Sequence, residues 1–226
     1  MSALLEIIGV SKQYPVKQNM ENSTIALRGV SLTVDAGQFI VINGPSGSGK
    51  STLLHIISGI DSPTDGIVKF DGIPLSTLSE DCCTELRRRD IILIFQSFEL
   101  IQSLTVYENV EYPLRLLKLS KKLRHQIITS VMKDLGIDGF SSRFPRELSG
   151  GQQQRVGICR ALAVSPRLLV GDEITANLDS ENANRVYNIL KQLQKKEGMT
   201  VITVSHDETL TKYADKVITM RDGRIV

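Results

Sequence analysis

The segment Gly44-Pro45-Ser46-Gly47-Ser48-Gly49-Lys50-Ser51 limits this chain more than any other stretch of it. Its spacing is that of a phosphate loop, G-x-x-x-x-G-K-S, in which glycines let the backbone curl with its N–H groups turned inward. The flanks agree. Phe39 to Ile42 is a continuous apolar run, the pattern of a strand buried on both faces, and Ser51 to Ser58 reads as a helix ended by Gly59. Strand, glycine loop and helix together make an anion cradle, because loop amides and the positive end of a helix dipole converge on phosphate oxygens. Lys50 is then a point charge for the outer phosphates, and Ser51 a hydroxyl for Mg2+. Gly44, Pro45, Ser46, Gly47, Ser48, Gly49, Lys50, Ser51 and Thr52 are the candidate nucleotide-binding residues.

Two further segments carry chemistry. Leu168 to Val170 is an apolar strand running into Gly171-Asp172-Glu173. Parallel strands end at one sheet edge, so Asp172 is expected beside the phosphate loop as a metal ligand, with Glu173 one residue on, placed to polarise an attacking water. The second segment is Leu148-Ser149-Gly150-Gly151-Gln152, ahead of a helix expected over 153–164. It makes another anion site at a helix N-terminus. Two such sites in one chain make sense if each nucleotide is clamped between the phosphate loop of one copy and this segment of a second.

At this point the sequence resembles the ATP-binding cassette of ABC transporters over essentially its whole length. The resemblance implies a P-loop NTPase (RecA-like) core, α/β in class, with an antiparallel β subdomain. It also implies an α-helical subdomain inserted at about 97–164, all in a single domain, 1–226. It assigns Glu173, His206 and Gln96 to catalysis, with Gln96 also reaching Mg2+ beside Ser51 and Asp172. Ser149, Gly150, Gly151 and Gln152 become the signature that binds the partner copy's ATP, Tyr14 an aromatic stacked on adenine, and Asn177-Leu178-Asp179 a segment crossing the dimer seam. ATP and Mg2+ are the implied ligands. Read by itself, a tyrosine after a strand is usually packing. His55 and His125 match no family position and read as packing and as part of a solvated face. One departure is Ile174, where the family usually has proline; proline would restrict Glu173 to extended backbone, and isoleucine lifts that restraint.

The remainder of the chain fits this frame. Leu4 to Val10 is an apolar stretch broken at Ser11-Lys12-Gln13-Tyr14-Pro15, followed by a polar loop from Val16 to Thr24. Val30, Leu32 and Val34 alternate with polar residues, as a half-buried strand does. Ile91 to Phe95 reads as a second buried strand. Thr105 and Glu108 form a capping box opening a helix that Pro113 is expected to kink or end, and a stripe from Leu123 to Leu135 is closed by Gly136. Arg87-Arg88-Arg89 and Lys121-Lys122 read as solvated helix faces. Lys plus Arg is 27 against 25 for Asp plus Glu, so no global field recruits nucleic acid or an anionic membrane. The three cysteines form neither a CxxC pair nor a zinc set, no signal peptide is expected from the opening residues, and no apolar run reaches the ~20 residues of a membrane helix. A cytoplasmic protein is expected.

Ile94-Phe95-Gln96-Ser97-Phe98-Glu99-Leu100, with Leu104-Thr105 and Glu108-Asn109-Val110, resembles the branch holding LolD-like, MacB-like and FtsE-like ATPases. The resemblance implies a homodimer on the cytoplasmic face of a membrane, driving a separate permease for lipoprotein release, efflux or mechanotransmission. No fused permease and no C-terminal regulatory domain is expected in this chain. The apolar segment 96–110 is expected to meet that permease. The rival reading is a soluble ABC ATPase acting on ribosomes or DNA.

Overall fold

The computed structural model describes residues 3–15, 23–205 and 208–226. Two sheets organise it. β1 (Ala3–Pro15), β2 (Ser23–Asp35), β4 (Asp65–Phe70) and β5 (Ile73–Pro74) form an antiparallel sheet in the order β2-β1-β4-β5. β3 (Phe39–Asn43), β6 (Ile91–Ile94), β7 (Leu168–Asp172), β8 (Thr200–Val204), β9 (Lys216–Arg221) and β10 (Arg224–Ile225) form the other, in the order β10-β9-β3-β8-β7-β6. All its pairings are parallel except that of β10 with β9. The helices are α1 (Lys50–Ile57), α2 (Glu80–Arg89), α3 (Val106–Leu116), α4 (Lys121–Asp134), α5 (Gly150–Leu162) and α6 (Ser180–Glu197).

The period-two alternation of the parallel strands divides the interior. Ile40, Ile42, Leu168, Val170, Ile202 and Val204 face a core shared with α1 and the antiparallel sheet. Phe39, Val41, Leu169 and Val201 face a second core shared with α3, α4, α5 and α6. The continuous apolar runs therefore serve two interiors at once, which is why β3 is buried from Phe39 to Ile42. On β2, Val30, Leu32 and Val34 are buried and Ser31 and Thr33 exposed, as the alternation requires.

Five expectations need correction. β1 does not break at Ser11 but continues to Pro15, because its irregular pairing with β2 is patched by side chains: Ser31 Oγ accepts from the Gly9 N–H and Ser11 Oγ from the Gly29 N–H, both at 2.9 Å. β6 ends at Ile94 and is the edge strand, so Ile92 and Leu93 are only half buried. Of the two outcomes expected at Pro113, a kink or an end, the end does not occur: α3 runs on to Leu116 with Val106, Val110 and Leu114 fully buried. Leu123 is exposed at the start of α4, although Ile128, Met132 and Leu135 are buried as expected. Arg87 is half buried rather than on a fully solvated face: it donates to Gly59 O at 2.7 Å and to Glu80 at 2.5 Å, tying α2 to the end of α1. The cysteines are free, with Cys82 exposed and Cys159 buried.

Parallel register sets the functional edge. Ile42 and Asp172 both lie opposite Val204, so the loop after β3 and the acid ending β7 flank the tip of β8.

Because α3 carries an internal proline, its place depends on its buried stripe. Leu114→Ala is expected to lower the unfolding free energy by about 2–5 kcal/mol in chemical denaturation.

Candidate functional site

Lys50 is 6% exposed, and its Nζ donates to Gly44 O and Pro45 O, each at 2.8 Å, folding the loop around the ammonium. Gly49, at φ 95°, caps α1 without any side-chain bond to the helix amides. A Cβ at Gly44 would collide with Met220 O and one at Gly49 with Ala26 O, so the curl tolerates no side chain at either position. Ser48 is buried, and its Oγ has no hydrogen-bond partner among the described residues. An uncapped helix N-terminus, a buried ammonium and an orphan hydroxyl together fit an anionic ligand. Pro45, Ser46, Gly47 and Ser51 are exposed at the mouth of the cradle, with Thr52 half buried behind them.

Asp172 and Glu173 reach the same place from β7. Burial pulls the Lys50 ammonium below the usual lysine range, and the nearby Glu173 and Asp172 carboxylates push back. Gln96, just past the edge strand, donates from Nε2 to Glu173 Oε2 at 3.2 Å. Ser51, Gln96 and Asp172 offer oxygen ligands only, and among the described residues no group of three or more His, Cys, Asp or Glu gathers to hold a metal. That donor set fits a hard cation such as Mg2+, which is usually held by one or two carboxylates plus substrate phosphates.

Glu173 takes a left-handed backbone, φ 50°, which a non-glycine residue adopts at a cost of about 1–3 kcal/mol. Its N–H donates to Val204 O at 3.2 Å, and the following Ile174 is fully buried. Position 174 thus packs into the core as isoleucine and leaves Glu173 free of the restriction a proline would impose. His206 lies outside the described residues.

Ser149 to Gln152 open α5 with a capping box, in which Ser149 Oγ accepts from the Gln152 N–H and Gln152 Oε1 from the Ser149 N–H. Ser149 and Gly150 are exposed, and among the described residues no hydrogen bond joins 149–152 to 44–52. Asp179 caps α6, accepting from the Asn182 N–H at 2.8 Å.

Tyr14 stands at the other side of the phosphate loop. Its hydroxyl donates to Asp61 Oδ2 at 2.7 Å, and the Thr52 hydroxyl also bears on it. Lys12 bridges to Asp61 at 2.6 Å and lies 4.9 Å from the centre of the Tyr14 ring. The ring is a fixed shelf beside α1. His55 packs against Phe95, and exposed His125 meets the Tyr107 hydroxyl at 3.1 Å.

The segment 96–105 has no regular structure but is tightly held. Asn109, fully buried, accepts from the Ile101 N–H and donates to Ile101 O, Leu104 O and Thr105 O, while Arg160 donates to Glu99 O and Phe98 O. The residues expected to meet a permease divide: Leu100 enters the core, Tyr107 turns to His125, and Phe98 and Ile101 line a groove of about 500 Å3. Ile92, Leu93, Tyr112 and Leu116 are among its other apolar residues, and Arg87, Arg88 and Arg160 also line it. Reading the chain linearly missed this groove because it needs the half-buried edge strand β6.

A profile of the family described as ABC transporter matches residues 27–176. An uncharacterized ABC transporter ATP-binding protein of Methanocaldococcus jannaschii is 46% identical over 91% of this chain and 92% of its own length. The macrolide export ATP-binding/permease protein MacB of Chlorobium luteolum is 42% identical over 99% of this chain, which spans 33% of that relative. Among solved structures, the bacterial ABC transporter cassette MJ0796 is 38% identical with a TM-score of 0.92, covering 98% of this chain and 96% of its own. It has been solved as a dimer, and also as a dimer in a post-hydrolysis state bound to ADP and Pi.

The shelf has a pH signature. Burial would raise the Asp61 carboxyl, but hydrogen bonds from Lys12, Tyr14 and the Ser62 amide, with the Lys12 charge, hold it below the ordinary range. A depressed folded-state value gives stability that is complete above the unfolded value and lost as pH falls through the folded one. Asp61→Asn is therefore expected to flatten the acid limb of the melting temperature below about pH 4. An unchanged acid limb would show that the shelf is not held by that charge.

Proposed function

The chain belongs to the ABC transporter family as its ATP-hydrolysing cassette, and from that premise we propose which residues carry the reaction and what the cassette drives. The observation that carries the reading is the meeting of Lys50, Asp172 and Glu173 at the tip of β8. In this reading 1–226 is one domain, with 97–164 as its helical subdomain. Residues 44–52 wrap the phosphates, their amides and the Lys50 ammonium meeting the charge that builds on the outer oxygens. Tyr14 stacks on the base. Ser51, Asp172 and Gln96 would hold Mg2+, whose charge would offset that of the phosphates. Water attacks the γ phosphorus in line, the bond to the ADP oxygen breaks with its electron pair going to ADP, and the Glu173 carboxylate takes the proton of the water. Gln96, bonded to Glu173, aims that carboxylate, and His206 completes the set from the residue following Ser205.

Ser149 and Gly150 are exposed and Gly151 and Gln152 half buried at the head of α5, which supports the use of these four residues by a second copy of the chain. Each ATP would then lie between the phosphate loop of one copy and the signature of the other. The apolar groove between β6 and α3 is proposed as the seat of a cytoplasmic segment of a membrane permease, placing the cassette on the cytoplasmic face. No described helix is long and apolar enough to cross a membrane. The size of the groove and its apolar wall, on which Tyr112 and Leu116 are exposed, suit such a segment. No observation favours a ribosome- or DNA-acting role.

Glu173→Gln is expected to bind ATP normally and to lose about 100-fold or more of its turnover, since an amide is a poor base. By sedimentation, this variant should dimerise with ATP and return to monomer with ADP; a single mass in both would contradict the sandwich. Tyr112→Ala, at an exposed position of the groove wall, is expected to weaken permease-stimulated turnover and spare basal hydrolysis. Equal loss with and without permease would place the docking surface elsewhere.

A further inference from the structure

Among the contacts of Glu173 are bonds at its N–H, its carboxylate and its carbonyl, and the last comes from an unexpected element. Its N–H bonds β8 through Val204 O, and its carboxylate bonds Gln96. Its carbonyl accepts from Gln154 Nε2 at 3.3 Å, while Gln154 Oε1 accepts from the Asn177 N–H at 3.1 Å. Gln154 is 2% exposed and sits on α5, five residues after Ser149. One buried amide thus spans both ends of the 173–177 loop and spends its donor and acceptor on it. A buried amide left unsatisfied is costly, so this bridge is strongly specified.

The loop needs such a brace. Glu173 is left-handed, and strained backbone persists only where its surroundings over-determine it. The Ala176 N–H also donates to Glu173 O, at 3.0 Å, which closes the turn locally but does not fix it to the body of the domain. Ile174 packs over Gly171, where a Cβ would lie only 2.6 Å from Ile174 Cγ2, and isoleucine imposes no fixed φ on the loop. The covalent stiffening that proline would give is absent, and the hydrogen bonds of Gln154 supply a restraint instead.

We propose that Gln154 is a positioning residue for hydrolysis: from the helix that begins at the signature, it locks the Glu173 peptide and the Asn177 amide so that the carboxylate points at the attacking water. This rests on the reading of Glu173 as the catalytic carboxylate. It also gives the signature a mechanical line to the carboxylate within one chain, since a shift of α5 reaches Glu173 through a single side chain. Gly151 adds to this contact, as a Cβ there would meet Asn177 O at 3.0 Å and Leu178 Cδ2 at 3.3 Å.

Two variants test it in the full chain beside wild type and Glu173→Gln. Gln154→Leu removes both bonds; Gln154→Glu keeps the acceptor for Asn177 and sets a carboxylate against Glu173 O. Amide hydrogen exchange without nucleotide is expected to speed up at Asn177 in Gln154→Leu and to stay near wild type in Gln154→Glu. With MgATP, both should lose roughly tenfold in kcat with KM within about twofold, the loss of one or two buried hydrogen bonds. A merely structural residue would instead lower the melting temperature and move kcat and KM together or neither, and that result would overturn the proposal. If Gln154→Leu fails to fold, Gln154→Glu decides alone: a kcat within twofold of wild type overturns the proposal. Wild-type turnover in Glu173→Gln would overturn the reading of Glu173 and the positioning role with it; normal kcat in Gln154→Glu beside an inactive Glu173→Gln overturns only the latter.

Discussion

A buried ammonium is the point on which the site turns. Lys50 lies at the head of α1, almost without solvent, bonded to two carbonyls of its own loop and facing two carboxylates. Burial alone would make the charged amine costly. It persists because the loop carbonyls and the acids answer it, and because the cradle is shaped to add an anion. The two-core sheet serves this arrangement. β3 and β7 are buried on both faces, so their ends cannot drift, and the tip of β8 sets the spacing between the phosphate loop and Asp172.

What could be read from the chain was chemistry carried by short spacings. The phosphate loop, the acid pair ending β7, the capping box at Thr105 and the Ser149 segment at a helix N-terminus each depend on residues within a few positions of one another, and each stands where the pattern put it, although α5 begins at Gly150 rather than at the expected 153. The alternation of Val30, Leu32 and Val34 located β2 for the same reason. What escaped depends on distant partners. Nothing near Ser11 announces that Gly29 will use its hydroxyl to carry β1 through a polar stretch. Nothing near Arg87 shows the Gly59 carbonyl. Ile91 to Ile94 is as apolar as a central strand, yet topology makes it an edge. Gln154 reads as one of three glutamines on a helix, and only the fold sets it against Glu173.

The edge strand also explains how hydrolysis could be felt at a distance. Gln96 follows β6 directly and touches Glu173, and Phe98 and Ile101, a few residues on, wall the apolar groove. Asn109 and Arg160 hold this irregular segment through hydrogen bonds to its backbone, which gives a shift at Gln96 a physical route toward the groove. Gln154 makes a parallel connection through α5. Two short links therefore join Glu173 to the helical segment, one from its carboxylate to the groove and one from its carbonyl to the helix that follows Ser149.

The claim at the centre of this account is that a working site takes its phosphate loop from one copy and its signature from another. Mixing Lys50→Ala chains with Ser149→Arg chains tests it directly. Each variant alone has no intact composite site, whereas a mixed dimer joins the Lys50 of one chain to the Ser149 of the other. The account predicts two inactive preparations whose mixture hydrolyses ATP, at roughly a quarter of the wild-type rate for random pairing in a two-fold dimer. A mixture as inactive as its components would contradict it.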